Sequence, residues 1–199
     1  MISQALLGGS FDPIHNGHLH IAREILRSGL VSGVIFLPNA RHNFKQGSVL
    51  LDFNTRYDLV ASVLEPGMEV WDDDAQGSGF TSELLQKLRR KHPERFFFWV
   101  IGSDNLEALP RWHDFPWLRE NVRFLIIPRP GYPASGSVLK RIRRKTLKIA
   151  PSDVSSTLVR QRIQAGKSIA GLVPRSIAAR VVSLYKPLLA GHEVQVPTP

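Results

Sequence analysis

The sequence predicts an α/β protein in a single domain, a doubly wound and mostly parallel sheet flanked by helices. Three observations carry that expectation. Residues 2–7 form a short apolar run of strand length, and a glycine pair and a polar turn follow it. From Leu19 onward, Ile21, Ala22, Ile25 and Leu26 recur at helical spacing before a second apolar run at 34–37. Strand, helix and strand within about forty residues make a βαβ unit with a right-handed crossover. Third, residues 96–101 (Phe-Phe-Phe-Trp-Val-Ile) are the strongest strand run in the chain and belong at the centre of the sheet.

Each element follows in order. The first helix covers about 17–30 and ends near Gly29 and Gly33, and Pro38 stops the second strand. The polar connection 38–51 follows a strand's carboxyl end, so it borders the cleft where such sheets bind nucleotides. Asn54 caps a helix through Leu64, and a third strand covers 68–71. The run Asp72-Asp73-Asp74 reads as a solvated turn in preference to a cation site. Phe80 and Thr81 open a helix through Leu88, with Thr81 suited to capping. After the central strand come Gly102, Asp104 and Trp112, then a strand at 122–127 and a last short strand at 147–149. Ser155-Ser156-Thr157 open a further helix. Pro174 leads into a final helix at 176–184, beyond which the chain frays. Residues 1–190 are expected to form the domain and 191–199 a disordered tail.

Composition sets bounds on function. At 199 residues, with 43% hydrophobic and 22% charged content, the chain has the make-up of an ordinary globular protein with a substantial core. It has no cysteine, which excludes disulfides and thiolate chemistry. No apolar run of about eighteen residues suggests a membrane span, and the N-terminus lacks a signal-peptide layout, so a cytoplasmic protein is expected. The net charge of +9 invites an anionic partner. Six of the nine residues 140–148 are Lys or Arg. No aromatic residues interleave them to stack bases, so they read as a solvated helix face and turn, and a polyanionic small molecule explains the positive field.

The chemistry concentrates in Gly8-Gly9-Ser10-Phe11-Asp12-Pro13-Ile14-His15-Asn16-Gly17-His18. Glycines lacking Cβ let the backbone bend and a ligand approach closely. A helix start offers free N–H groups and a positive dipole end to phosphate. His15 and His18, three apart, can face one bound group and stabilise charge on phosphoryl oxygens. The Gly-x-Gly-x-x-Gly dinucleotide fingerprint is absent, and metal binding by these histidines is disfavoured. At the far end of the chain, Ser155, Ser156 and Thr157 present hydroxyls at another helix start, with Arg160 able to lean back toward the same anion.

This run resembles the signature of the nucleotidyltransferases with a His-x-Gly-His box, here His15-Asn16-Gly17-His18. Among these it is most similar to the nicotinate-nucleotide adenylyltransferases, which join ATP and nicotinate mononucleotide. The related pantetheine-phosphate enzymes usually carry Thr in place of His15. Further matches are Arg56, Gly102-x-Asp104-x-Leu106 with Trp112, Arg129-Pro130-Gly131-Tyr132, and Ser155-Ser156-Thr157-x-x-Arg160. The resemblance implies a Rossmann-like fold and catalysis by His15 and His18. It implies ATP binding by Gly8, Gly9, Ser10, Phe11, His15, His18, Asp104, Ser155, Ser156, Thr157 and Arg160. It implies mononucleotide binding by Lys45, Phe80, Thr81, Trp112 and Arg129, with Trp112 stacking on the pyridine ring. Mg²⁺ is expected on ATP oxygens, and no protein metal site. Where relatives carry Pro-Pro-His-Lys, this chain reads Arg41-His42-Asn43-Phe44-Lys45, which retains only the lysine. Nicotinamide mononucleotide and phosphopantetheine stand as alternative acceptors, and homo-oligomerisation stays open. A nucleic-acid-binding protein on the same fold is the remote alternative.

Overall fold

A computed structural model describes residues 2–40, 49–133 and 136–190. The 41–45 loop with Lys45, and the 191–199 tail, lie outside the described residues. Among the described residues, six strands form one sheet: β1 (Ile2–Gly9), β2 (Gly33–Pro38), β3 (Met68–Val70), β4 (Arg95–Gly102), β5 (Arg123–Ile127) and β6 (Arg143–Thr146). Their order is β3-β2-β1-β4-β5-β6 and every pairing is parallel. The expected "mostly parallel" sheet is therefore wholly parallel, in the order of a Rossmann-like fold. The order reverses between β1 and β4, and that seam opens the crevice where such sheets bind ligands.

Alternation along the strands explains the two layers. Ala5, Leu7, Val34, Phe36, Phe98, Val100, Leu125 and Ile127 face one side. There they meet α1 (Asn16–Arg27), α2 (Phe53–Ala61), α5 (Ser156–Gln164) and α6 (Ala178–Leu189). Leu6, Ile35, Leu37, Phe97, Trp99, Ile101, Phe124 and Ile126 face the other, against α3 (Thr81–Lys91) and α4 (Phe115–Asn121). Burial on both faces is why β2 is apolar at every residue after Gly33, with no alternation.

Several boundaries differ from expectation. β1 continues through both glycines, and the chain breaks at Ser10 and Phe11, where Phe11 takes φ +48°. Asp52, not Asn54, caps α2, its carboxylate accepting from the Thr55 N–H at 2.9 Å. Phe80 occupies the cap position of α3, so Thr81 is not the cap. The last strand is 143–146 rather than 147–149, within the basic run, and all four of its residues are exposed. An edge strand has one neighbour and needs no apolar face, and its charges discourage further strand addition. α6 runs through Pro187 to Leu189, which is buried, whereas fraying was expected after Lys186.

Candidate active site

The carboxyl ends of β1, β2, β4 and β5 surround a cavity of about 250 Å³ at the seam of the sheet. Gly8 and Gly9 form its floor together with Trp99 of β4. Gly8 is required by a protein neighbour: a Cβ there would lie 2.8 Å from Trp99 Cη2. The cavity also holds His18, Phe80, Thr81, Trp112 and Arg129, which the sequence nominated from four separate segments. A second cleft adjoins it and shares His18, Ile21, Ile127 and Arg129. His15 lies on that second side, with Ser152 and Val154 opposite.

The histidine pair is built by the start of α1. His15 is the residue before the helix and His18 sits in its first turn, so the two rings stack with centroids 3.6 Å apart. The His15 backbone N–H donates to His18 Nδ1 at 3.3 Å. A neutral His18 ring then carries its proton on Nε2 and offers it as a donor. Burial, and secondarily Arg129, push His15 down to about 3. Burial, then His15 and Arg129, also hold His18 well below the usual imidazole range. Both rings are therefore neutral at physiological pH, and His18 is free to offer its Nε2–H as a donor. Phe11 is 1% exposed and packs edge-on beneath His18 at 4.9 Å, so it supports the imidazole where direct ATP contact was expected.

The two distant halves of the motif do meet. The Ser156 hydroxyl donates to the Pro13 carbonyl at 2.9 Å, and Arg160 Nη1 donates to the Asp12 carbonyl at 2.5 Å. Ser155 caps α5 by accepting from the Leu158 N–H at 3.1 Å. Thr157 is half-buried. These groups meet the His-box loop from the α5 side and line neither cavity. Arg56, buried in α2, fastens the same loop by donating to the carbonyls of Ser10, Asn39 and Leu51.

On the opposite wall Trp112 is half-buried, while Pro110, Arg111 and His113 are exposed, as the composition of that turn implied. Asp104 does not line the main cavity; it lies 3.7 Å from Arg129 Nε, and Asn105 faces the cavity instead. Sequence reasoning missed further lining groups. His113 stacks on Phe80 with centroids 4.2 Å apart and pairs with the Ser82 hydroxyl at 3.0 Å. Of the acidic turn only Asp72 is exposed; Asp73 and Asp74 are 6% and 4% exposed. Asp73 pairs with Lys91 at 2.9 Å. Asp74 lines the cavity, and burial pushes its carboxyl up to about 6. The hint was Lys87 and Lys91 one turn apart on α3, both within reach of Asp73. Among the described residues, no group of three or more His, Asp or Glu side chains converges to hold a metal ion.

Comparison with known proteins agrees with this geometry. The cytidylyltransferase-like family profile matches residues 6–162. A probable nicotinate-nucleotide adenylyltransferase of Clostridium novyi is 34% identical over 94% of this chain and 100% of its own length. One from Bacillus pumilus is 33% identical over 86% of this chain and 91% of its own. Among solved structures, Plasmodium falciparum nicotinic acid mononucleotide adenylyltransferase complexed with NaAD superposes with a TM-score of 0.80. That match covers 92% of this chain and 96% of the other at 19% identity, and so speaks to the fold. Among the described residues, no helix is long and apolar enough to cross a membrane. The chain thus belongs to the cytidylyltransferase-like family, and within it to the nicotinate-nucleotide adenylyltransferases.

Proposed function

We propose that this protein transfers the adenylyl group of ATP to nicotinate mononucleotide, releasing pyrophosphate and forming the deamido dinucleotide used to make NAD. The observation that carries the proposal is the stacked, neutral histidine pair at the carboxyl end of β1, placed where two adjoining cavities share His18. We assign the main cavity, beneath Trp112 and Phe80, to the mononucleotide. A 5′-phosphate oxygen of the mononucleotide attacks the α-phosphorus of ATP, a new P–O bond forms, and the bond to the β-phosphate oxygen breaks. The nucleophile is already ionised, so the protein needs no general base; it supplies position and charge stabilisation.

In this reading His18 Nε2–H donates to an oxygen of the reacting phosphoryl group, with His15 stacked behind it to fix the ring. Gly8, Gly9 and Ser10 shape the floor. Ser155, Ser156, Thr157 and Arg160, whose helix start abuts the His-box loop outside the two cavities, are assigned to the pyrophosphate end, Lys45 contributes a further cation, and Asp104 serves the nucleotide through Arg129 or the nucleotide hydroxyls. Trp112 and Phe80 offer aromatic faces to the pyridine ring, with Thr81 beside it. ATP arrives as its Mg²⁺ complex, the ion held by phosphate oxygens and water. The cytoplasm, which supplies ATP, is the compartment we assign. Pyrophosphate release measured with ATP and each of nicotinate mononucleotide, nicotinamide mononucleotide and phosphopantetheine tests the reading. Preference for the first supports it; no release with any of the three overturns it.

A further inference from the structure

The Asp12 carboxylate is the junction of four segments, and the adenylyl-transfer reading leaves it without a task. It is 1% exposed. Its Oδ1 accepts from the Tyr185 hydroxyl of α6 at 2.5 Å and from the Leu51 N–H at 3.2 Å. Its Oδ2 accepts from the Leu50 N–H at 2.9 Å. Three neutral donors thus occupy most of its acceptor capacity. Among the described residues, Arg160 is the cation beside it with a side chain partly open to solvent (17%). Arg56, also nearby, spends its donors on three backbone carbonyls. Arg160 nonetheless stands off from the carboxylate: Nη1 is 3.6 Å from Oδ2 and spends its short bond on the Asp12 carbonyl.

That arrangement is informative because a guanidinium beside a buried carboxylate ordinarily closes into a two-pronged pair. Here the carboxylate has been satisfied by other donors, and most of the five N–H groups of Arg160 stay uncommitted. Tyr185 is fully buried, and burial beside Asp12 raises its hydroxyl pKa, so it remains protonated and can only serve Asp12 as donor.

We propose that Tyr185 is a positioning residue for the phosphate end of the site: by occupying the Asp12 carboxylate it keeps the Arg160 guanidinium available to an anionic phosphate. Without its hydroxyl, Asp12 Oδ1 is left short of a donor in a dry interior. Arg160 is the group able to swing in and supply one, at the expense of its grip on phosphate. The proposal rests on the assignment of Arg160 to the pyrophosphate end.

The test uses Tyr185→Phe, which keeps the ring and deletes the donor, and two probes, ATP in the full reaction and magnesium pyrophosphate in calorimetry. The expected result is a rise of about tenfold in KM for ATP and in the pyrophosphate Kd, the size of one lost charge-assisted contact. The KM for the mononucleotide should stay within about twofold. In an Arg160→Ala background Tyr185→Phe should add nothing to the pyrophosphate Kd, because the group it acts through is gone. Equal rises in both KM values, or additive effects with Arg160→Ala, would show a merely structural role and overturn the proposal. A second variant does not depend on Tyr185→Phe folding. In Arg160→Lys a single ammonium must choose between the Asp12 carbonyl and phosphate, so pyrophosphate binding should weaken almost as far as in Arg160→Ala. Wild-type affinity in Arg160→Lys overturns the proposal. Failure of the function itself looks different: the unmodified protein would release no pyrophosphate with any acceptor, whatever the variants bind.

Discussion

Replacing Gly8 by alanine tests how the cavity floor is built. Gly8 shares a face of β1 with Leu6, and Leu6 stands opposite Trp99 in the neighbouring strand. The Trp99 indole therefore lies across the backbone of Gly8. An added Cβ would sit 2.8 Å from Cη2 and 3.0 Å from Cζ2. Carbon atoms pack comfortably at about 3.5–4.0 Å, so the ring must retreat by roughly 1 Å. Trp99 is 6% exposed and packed among Leu6, Leu37, Phe97 and Ile101, which leaves the cavity side as its way out. Overpacking of this kind costs about 1–3 kcal/mol. For a chain of this length that lowers Tm by roughly 3–10 °C. The displaced ring also enters a space of only about 250 Å³, so the mononucleotide KM should rise along with the loss of stability. Thermal unfolding and steady-state kinetics on the same preparation decide it. A Gly8→Ala protein with unchanged Tm and unchanged KM would refute the argument that Trp99 dictates this glycine.

Other predictions concern the groups around that floor. His18→Ala should lower Tm modestly, since the ring stacks on His15 and accepts its backbone N–H, and lower kcat by more than about tenfold through loss of a transition-state donor; thermal unfolding and coupled pyrophosphate assays measure the two effects. Arg56→Met should destabilise by about 2 kcal/mol, because one buried and two part-buried carbonyls lose their donor at once; urea melts report it. Two pH effects oppose each other. His15, depressed to about 3 in the folded state, makes stability fall as pH drops from about 6.5 toward 3, because the unfolded chain takes up the proton first. Asp74, raised to about 6, contributes stability that is complete below about 4 and lost as pH rises through 6. Asp74→Asn should therefore be more stable than the unmodified protein at pH 7.5, by on the order of 1 kcal/mol after screening at the cavity mouth, and no more stable below pH 4. A stability difference between the two proteins that does not change with pH would contradict the burial of that carboxyl.

What could be read in advance depended on how locally the information is stored. The βαβ start and β4 were legible because burial on both faces writes itself as continuous apolar sequence. The histidine box was legible because its function demands particular residues at fixed spacing. β6 was not, since an edge strand of Arg, Arg, Lys and Thr carries no apolar pattern and is defined by its ladder with β5. The end of α6 was misjudged because Pro187 is a strong local breaker, yet burial of Tyr185 and Leu189 holds the helix across it. The burial of Asp73 depends on Lys87 and Lys91, residues 14 and 18 positions away in sequence, and no window over the aspartates contains them. The sequence placed the serine-rich helix start beside the histidine box, and they do touch. It had no means of showing that Arg160 would first meet Asp12.

The hydrogen bond between Asp12 and Tyr185 ties together residues 173 positions apart. Translation at about 5–20 residues per second brings the second partner out roughly 9–35 seconds after the first. Throughout that interval a growing polypeptide exposes the glycine-histidine turn without the hydroxyl that settles its aspartate. Ribosome-tethered fragments ending ahead of α6 lack Val181, Tyr185 and Leu189 of the core as well as that hydroxyl, so they should be catalytically silent, and newly made protein should begin consuming ATP only once α6 has been delivered and docked.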